Sequence, residues 1–423
     1  MTNVNWYVKG GMTMKIGYSY WGYLGDTKYD LQGNVASTPD GNAFYSWSII
    51  NKLQEDGHKV YSIMPDRDYP AFYYGKYLFD SWCTEQRKSA YSNICNIWYN
   101  YDFITTDSYY KIRSMVRDNQ LYGYIASALD NMDVVLHEWR MPIPGRNINV
   151  SDDDYINYQP DLDIQNCILR YFGEHPNKKL IIFDLDYKLD VNELGKLPGG
   201  GRNIYVFELG YKLSNKYSNA FRVEIPFDFR YINWFPLEKK YNKPHINNLV
   251  YVGNRYERDW CIDKYIPTEM DGVKVYGNWL ESGRDSAEKW HNIEFGPRVQ
   301  TANMPEIYQN SLATILLAKK DYLEYSFMTA RIIEAVFYGC VPLFIEEYGD
   351  ACIKKYAGIY SQYLTVSSKS DIINIVYYLR YNDSYRRHIL SYLREHLKFM
   401  DVKHFVDKLY YVMRGELKWL NTI

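Results

Sequence analysis

The chain contains no apolar run approaching the roughly 20 residues that a membrane-crossing helix needs, and its N-terminal stretch lacks the apolar core of a secretory signal. Cysteine is scarce: Cys83, Cys95, Cys167, Cys261, Cys340 and Cys352 are the six among 423 residues. None forms a Cys-x-x-Cys pair and no histidine cluster has zinc spacing, so reduced thiols are expected and no metal site is indicated. An excess of one charge is missing as well. The 49 basic and 51 acidic side chains leave a net charge of −2, which gives no global attraction to a polyanion; a nucleic-acid partner would have to meet a local basic surface. No internal repeat and no low-complexity tract is present. Together these absences predict a cytoplasmic protein that engages no membrane.

Tyrosine, by contrast, is abundant, at 46 residues. Base composition is one cause, because Tyr, Asn, Ile and Lys have AT-rich codons; a functional aromatic surface is the other. The length suits two domains of roughly 200 residues each. Short apolar runs alternate with helical patterns, the rhythm of β-α-β units around a parallel sheet. "MKIGYSYWG" reads as the first strand, preceded by a loose extension of 13 residues. "NAFYSWSIINKLQEDG" has helical spacing through Phe44, Trp47, Ile50 and Leu53, with Gly57 as its C-cap. "HKVYSIMP", "MDVVLHEW", "KKLIIFDLD" and "NIYVFELG" are further strands, whose polar ends would gather at one sheet edge, where open α/β sheets hold ligands. Residues 68–119 read as an aromatic insertion, and "FPLEKKYNKPHINN" as a linker. A second series follows in "LVYVGNRYERD", "GVKVYGNW", "IEFGPRV", "ATILLAKKD" and "CVPLFIEE". The last 50 residues read as two helices, with apolar spacing through Ile373, Ile375, Tyr378 and Leu379, then Phe405, Leu409 and Val412. The expected division is an N-terminal Rossmann-like domain over 14–235, a C-terminal one over 246–390, and helices over 391–423 that cross back to the first.

The segment richest in chemistry is "YLEYSFMTARIIEAVFYGCVPLFIEE". A helix is expected to start near Ser326 or Thr329, either of which is a capping type. Its free amide end suits an anion. Arg331 adds a fixed charge against a diphosphate. Glu334, about one turn on, suits two ribose hydroxyls, as acidic residues do in dinucleotide folds. The alternative is a surface i, i+3 pair. In "LVYVGNRYERD", Gly253 allows close backbone approach, with Asn254 beside it and Arg255 or Arg258 able to neutralise phosphate; a loop with incidental arginines is the other reading. On the N-terminal side, Asp184 and Asp186 end a strand beside the expected cleft and suit a general base, or else cap the following loop. His137 and Glu138 are further candidate bases, although a lone strand-end histidine is more often structural. Trp139 and Arg140 follow, suited to stacking on or clamping an acceptor. Gly41 would open the first helix.

"TARIIEAVFYGCVP" resembles the nucleotide-sugar signature of GT-B glycosyltransferases, exostosin-type ones in particular, with Arg331, Glu334, Ala335, Cys340 and Pro342 in register. That resemblance implies an α/β fold of two Rossmann-like domains facing a cleft, a UDP-sugar donor and no tightly bound cofactor, with a divalent metal left open but not indicated. It also makes Asn278, Arg298 and Val299 donor-site candidates. Many retaining relatives carry a glutamate two turns before the second; here Ser326 stands there, with Glu324 nearby, so retention and inversion stay open. A closer likeness is to the phage DNA α-glucosyltransferases of hydroxymethylcytosine. It runs through Gly41, through Tyr276, Gly277 and Asn278, through Gly339, Val341, Pro342 and Phe344, and through "IIFDLD", where Asp186 matches the family's acidic residue and Leu185 stands in place of its histidine. It implies transfer of a hexosyl or pentosyl group to a hydroxymethylated pyrimidine, flipped from double-stranded DNA in host cytoplasm. The insertion, with Lys76, Arg87, Lys88 and Lys111, would then meet DNA, unless its aromatics simply pack a core. Transfer to a cell-surface glycan or protein, an epimerase-like reaction and nucleotide-sugar binding without catalysis are the alternatives.

Overall fold

The computed structural model describes residues 13–19, 42–63, 120–139, 164–185, 187, 189, 191–212, 217–231, 236–237, 247–280, 286–299 and 304–417. The N-terminal extension, the tyrosine-rich insertion and most of the expected linker lie outside the described residues.

Two six-stranded sheets, each wholly parallel, organise the chain. The first contains β1 (Lys15–Ser19), β2 (Lys59–Ser62), β3 (Val134–Trp139), β4 (Lys179–Asp184), β5 (Ile204–Leu209) and β6 (Ala220–Val223), in the order β2-β1-β3-β4-β5-β6. The second contains β7 (Asn247–Val252), β8 (Val273–Tyr276), β9 (Glu294–Gly296), β10 (Ser311–Leu316), β11 (Val341–Ile345) and β12 (Thr365–Val366), in the order β12-β11-β10-β7-β8-β9. The strand order reverses between β1 and β3 in the first sheet and between β7 and β10 in the second. In open α/β sheets, the crevice at the carboxyl end of such a reversal is where ligands bind.

Helices cover both faces because the strands are apolar on both. On β3, Val134 and Leu136 face one core while Val135 faces the other. The first face is covered by α1 (Asn42–Glu55), which buries Tyr45, Ile49, Ile50 and Leu53 and stops at Gly57 with φ of 89°. The opposite face packs on α2 (Leu121–Asp130) and α3 (residues 164–174), through Leu121, Ile125 and Leu129 and through Ile164, Ile168 and Phe172. Around the second sheet lie α4 (Asp259–Tyr265), α5 (Met304–Gln309), α6 (Arg331–Phe337), α7 (Asp350–Ala357), α8 (Lys369–Tyr381) and α9 (Asp383–His396). Among the described residues no helix is long and apolar enough to cross a membrane.

The C-terminal stretch holds three long helices where the spacing predicts two. The additional one, α9, buries Ile389, Leu390 and Leu393, but Arg386 and Arg394 are buried on it too, donating to the carbonyls of Gly339, Val336 and Phe337. Buried arginine broke up the apolar stripe in the sequence. On α8 the buried face is Ile372, Val376 and Leu379, so the expected face is turned: Tyr378 is exposed, and Ile373 and Ile375 are half-buried.

The last described helix, α10 (Val402–Arg414), begins at an Asp401 cap and ends at Gly415 in the left-handed region. It packs against the first sheet. Phe405 meets Phe183 and Phe207 at ring distances of 4.9 and 5.6 Å. Tyr410 donates to Asp56 at 2.7 Å, and Lys179 donates to the carbonyls of Val412 and Met413 at the helix end. Burying Phe405 alone contributes about 2 to 3 kcal/mol. On the other side of the seam between the halves, Tyr211 and Lys212, just beyond β5, donate through their amides to the carbonyls of Ser326 and Tyr325 at 3.2 and 3.0 Å.

Candidate donor site

β7 runs to the reversal point of the second sheet and hands over to Gly253. A side chain there would collide with the Tyr251 hydroxyl and lie 3.2 Å from the guanidinium carbon of Arg331. Glycine is thus what lets Arg331 lie against the strand end. The surrounding turn is locked. The Gly253 amide donates to the Tyr276 carbonyl at 2.8 Å, and its carbonyl accepts from the Trp279 indole at 2.7 Å. Gly277, with φ of 148°, packs directly on that carbonyl, where a side chain would clash.

Arg331 opens α6, and Glu334 lies one turn on. Arg331 Nε and Glu334 Oε2 are buried and have no hydrogen-bond partner among the described residues; the same holds for the hydroxyls of Tyr251 and Tyr308. Buried groups of this kind are rare in native proteins and call for an explanation. Burial pushes the Glu334 carboxyl above its ordinary range, with Arg331 pulling it back. Burial opposes the Arg331 charge, but Tyr251, Tyr308 and Glu334 outweigh it and hold the guanidinium above its ordinary value. Tyr45 of α1 acts on the same charge, so the cluster is felt from the first half of the molecule.

The helix start differs from expectation. Neither Ser326 nor Thr329 caps it. Ala330 is the N-cap residue, no side chain bonds the first turn, and the helix is only seven residues long. Ser326 is in the left-handed region with φ of 52°, and its carbonyl is taken by the Tyr211 amide and the Cys352 thiol. That kink belongs to the seam and delays the helix by a turn. Ser326 and Thr329 are both buried.

The remaining donor-side candidates are spread more widely. Arg255 is paired with Asp259 at 2.6 Å and lies 5.5 Å from the Trp290 ring centre. Arg258 is buried and donates to the carbonyls of Asn254 and Tyr256 at 3.1 and 3.3 Å. Asn278 is buried and accepts from the Arg255 amide at 2.7 Å, shaping the turn. Val299 packs against the small core that holds Tyr308 and Tyr276, while Arg298 is exposed. Gly41 lies outside the described residues.

A second polar cluster occupies the β1/β3 reversal of the first sheet. His137 Nδ1 is 2.7 Å from Ser19 Oγ, and its Nε2 is 3.3 Å from Gln165 Oε1. Burial lowers its pKa to about 4. Glu138, pointing to the opposite face, accepts from the Tyr18 hydroxyl and, at 2.7 Å, from Ser46 Oγ. Asp184 is fully buried and accepts from the Leu189 amide at 3.1 Å, so it holds the loop that follows β4. Trp139 is fully buried, with its ring edge-on to His137 at 5.8 Å, and turns no face outward. Asp186 and Arg140 lie outside the described residues. Among the described residues no group of three or more His, Cys, Asp or Glu side chains is arranged to hold a metal ion.

Sequence reading missed Tyr251 and Tyr308. Tyr251 was within reach, since it stands two residues before Gly253 and so shares its face of the strand. Tyr308, on a separate helix, carried no comparable signal.

No protein-family model matches the chain, and no curated protein matches it. Solved structures do. T4 phage BGT in complex with UDP and Mn2+ is 15% identical, with a TM-score of 0.52 over 96% of this chain and 100% of that one. The DNA-modifying enzyme β-glucosyltransferase, solved with and without uridine diphosphoglucose, is also 15% identical, with a TM-score of 0.50 over the same shares. Anabaena HepE in complex with UDP-glucose is 10% identical, with a TM-score of 0.47 over 97% of this chain and 100% of that one. The likeness is one of fold, and with its two parallel Rossmann-like sheets the chain has the GT-B architecture.

Proposed function

We propose that the chain is a glycosyltransferase that takes a sugar from a UDP-sugar and delivers it to the hydroxyl of a 5-hydroxymethylated pyrimidine in DNA. The observation that carries the donor half is the buried group of Arg331, Glu334, Tyr251 and Tyr308, with unmet hydrogen-bonding atoms at a strand-order reversal. Arg331 meets the diphosphate and stabilises the charge that develops on the leaving group. Glu334 accepts the ribose hydroxyls, and Gly253 lets the phosphate approach the strand end. Residues 14–235 and 246–390 act as acceptor and donor domains. The DNA acceptor rests on the motif resemblance and on the fold shared with a DNA-modifying enzyme. Asp186 is the proposed base, taking the proton of the acceptor hydroxyl, with Asp184 fixing the loop that carries it.

The test is calorimetric binding of UDP, followed by UDP release from UDP-glucose with and without hydroxymethylated DNA. DNA-dependent release is expected. Arg331→Ala should keep the fold by circular dichroism and cut release by about 100-fold, the usual cost of about 3 kcal/mol for a lost oxyanion-type donor. If UDP fails to bind, the donor reading is wrong; if release occurs without DNA and is indifferent to it, the acceptor reading is wrong.

A further inference from the structure

The unmet hydroxyls of Tyr251 and Tyr308 need a reason of their own. Both side chains are fully buried. They come from different elements, Tyr251 from β7 and Tyr308 from α5, and they sit in separate apolar cores on opposite faces of the sheet. Yet both come up against the same stretch of chain, the one that carries Arg331 and Glu334. The Tyr251 hydroxyl shares with the Arg331 guanidinium the space above Gly253. Tyr308 packs in one small core with Ala335 and Tyr338, on and just beyond α6, the helix that carries Arg331 and Glu334. Phenylalanine would fill either core equally well. A buried hydroxyl without a partner costs on the order of 1 to 3 kcal/mol, so each oxygen is a liability to the fold unless a ligand completes it.

We propose that Tyr251 and Tyr308 are donor-site residues whose hydroxyls gain their hydrogen bonds only when the donor is bound, Tyr251 beside Arg331 at the diphosphate and Tyr308 beside Glu334 at the ribose. This rests on the donor reading above. It predicts a division of labour that a role in packing alone does not give. Removing the Tyr251 hydroxyl weakens recognition of the phosphates and spares the nucleoside. Removing the Tyr308 hydroxyl weakens recognition of the nucleoside, whether or not phosphates are attached.

The experiment uses the full chain, with UDP and uridine as probes, and the variants Tyr251→Phe and Tyr308→Phe. Expected for Tyr251→Phe is about tenfold weaker UDP binding with uridine binding unchanged. Expected for Tyr308→Phe is an equal loss, by about tenfold, for both probes. The melting temperature of the ligand-free variants should stay level or rise, since each loses an unmet polar atom. Unchanged affinities in both variants overturn the inference while leaving the donor reading intact. A lowered melting temperature with unchanged affinity does the same, by assigning the hydroxyls to packing. Failure of the unaltered chain to bind UDP removes the donor reading itself, and this inference with it.

Discussion

The two sheets carry polar clusters at the points where their strand order reverses, and the clusters differ in how far their charged groups are met within the fold. At the first, His137, Glu138 and Asp184 are each bonded within the fold, to Ser19 and Gln165, to Tyr18 and Ser46, and to the Leu189 amide. At the second, Arg331, Glu334, Tyr251 and Tyr308 are as deeply set, and each of the four retains an unmet atom. Burial alone therefore does not mark a site. The first cluster is the more fully bonded of the two, although Gln165 Nε2 and Trp139 Nε1 stay unmet within it, and each buried polar atom left unmet costs the fold stability.

The largest expected effect tests the first cluster. The His137 pKa is lowered from 6.5 to about 4 in the fold. Above pH 6.5 the imidazole is neutral in both folded and unfolded chains. Between pH 6.5 and 4 only the unfolded chain takes up the proton, so stability falls as pH falls through that window, by about 3 kcal/mol in all. Denaturant melts of the wild type and His137→Gln should diverge in slope across this range, the variant being flatter. Parallel curves would mean that the histidine is not held neutral. The next effect tests the second cluster. Gly253→Ala forces a methyl against Tyr251 and Arg331 and should weaken UDP binding tenfold or more, about 1.4 kcal/mol or above. Retained affinity would separate Arg331 from the strand end. The smallest effect touches neither cluster. Lys179→Met removes the ammonium from the α10 carbonyls, and a loss of about 1 kcal/mol in stability is expected, with UDP affinity unchanged. A drop in affinity would show that the seam and the donor cluster are coupled.

Much of the architecture was legible because its strands are apolar runs closed by polar residues: "VVLHEW", "LIIFD", "IYVFEL" and "VPLFI" each fall inside or coincide with a strand. β6 and β12 were not read; they are sheet-edge strands of four and two residues. α9 escaped because its buried face includes two arginines whose partners are carbonyls far away in sequence. In the candidate site, Arg331, Glu334 and Gly253 were legible as a local motif plus a glycine at a strand end. The start of α6 was not, because the left-handed turn at Ser326 is set by a contact with Tyr211, more than 100 residues earlier. Arg255 and Arg258 show the limit of reading charge from a motif: one is neutralised by Asp259 and the other is turned onto the carbonyls of Asn254 and Tyr256, partners that lie within four residues of each arginine.

The position of α10 has a consequence for how the chain matures. Phe405 fills the core beneath β4 and β5, and Lys179 is anchored only once Val412 and Met413 exist. The half of the molecule synthesised first therefore stays unfinished until nearly the whole described chain has emerged, with the apolar floor of its sheet open in the meantime. Domains usually fold in the order they are made; here the second half is free to close first and deliver the helix that completes its predecessor.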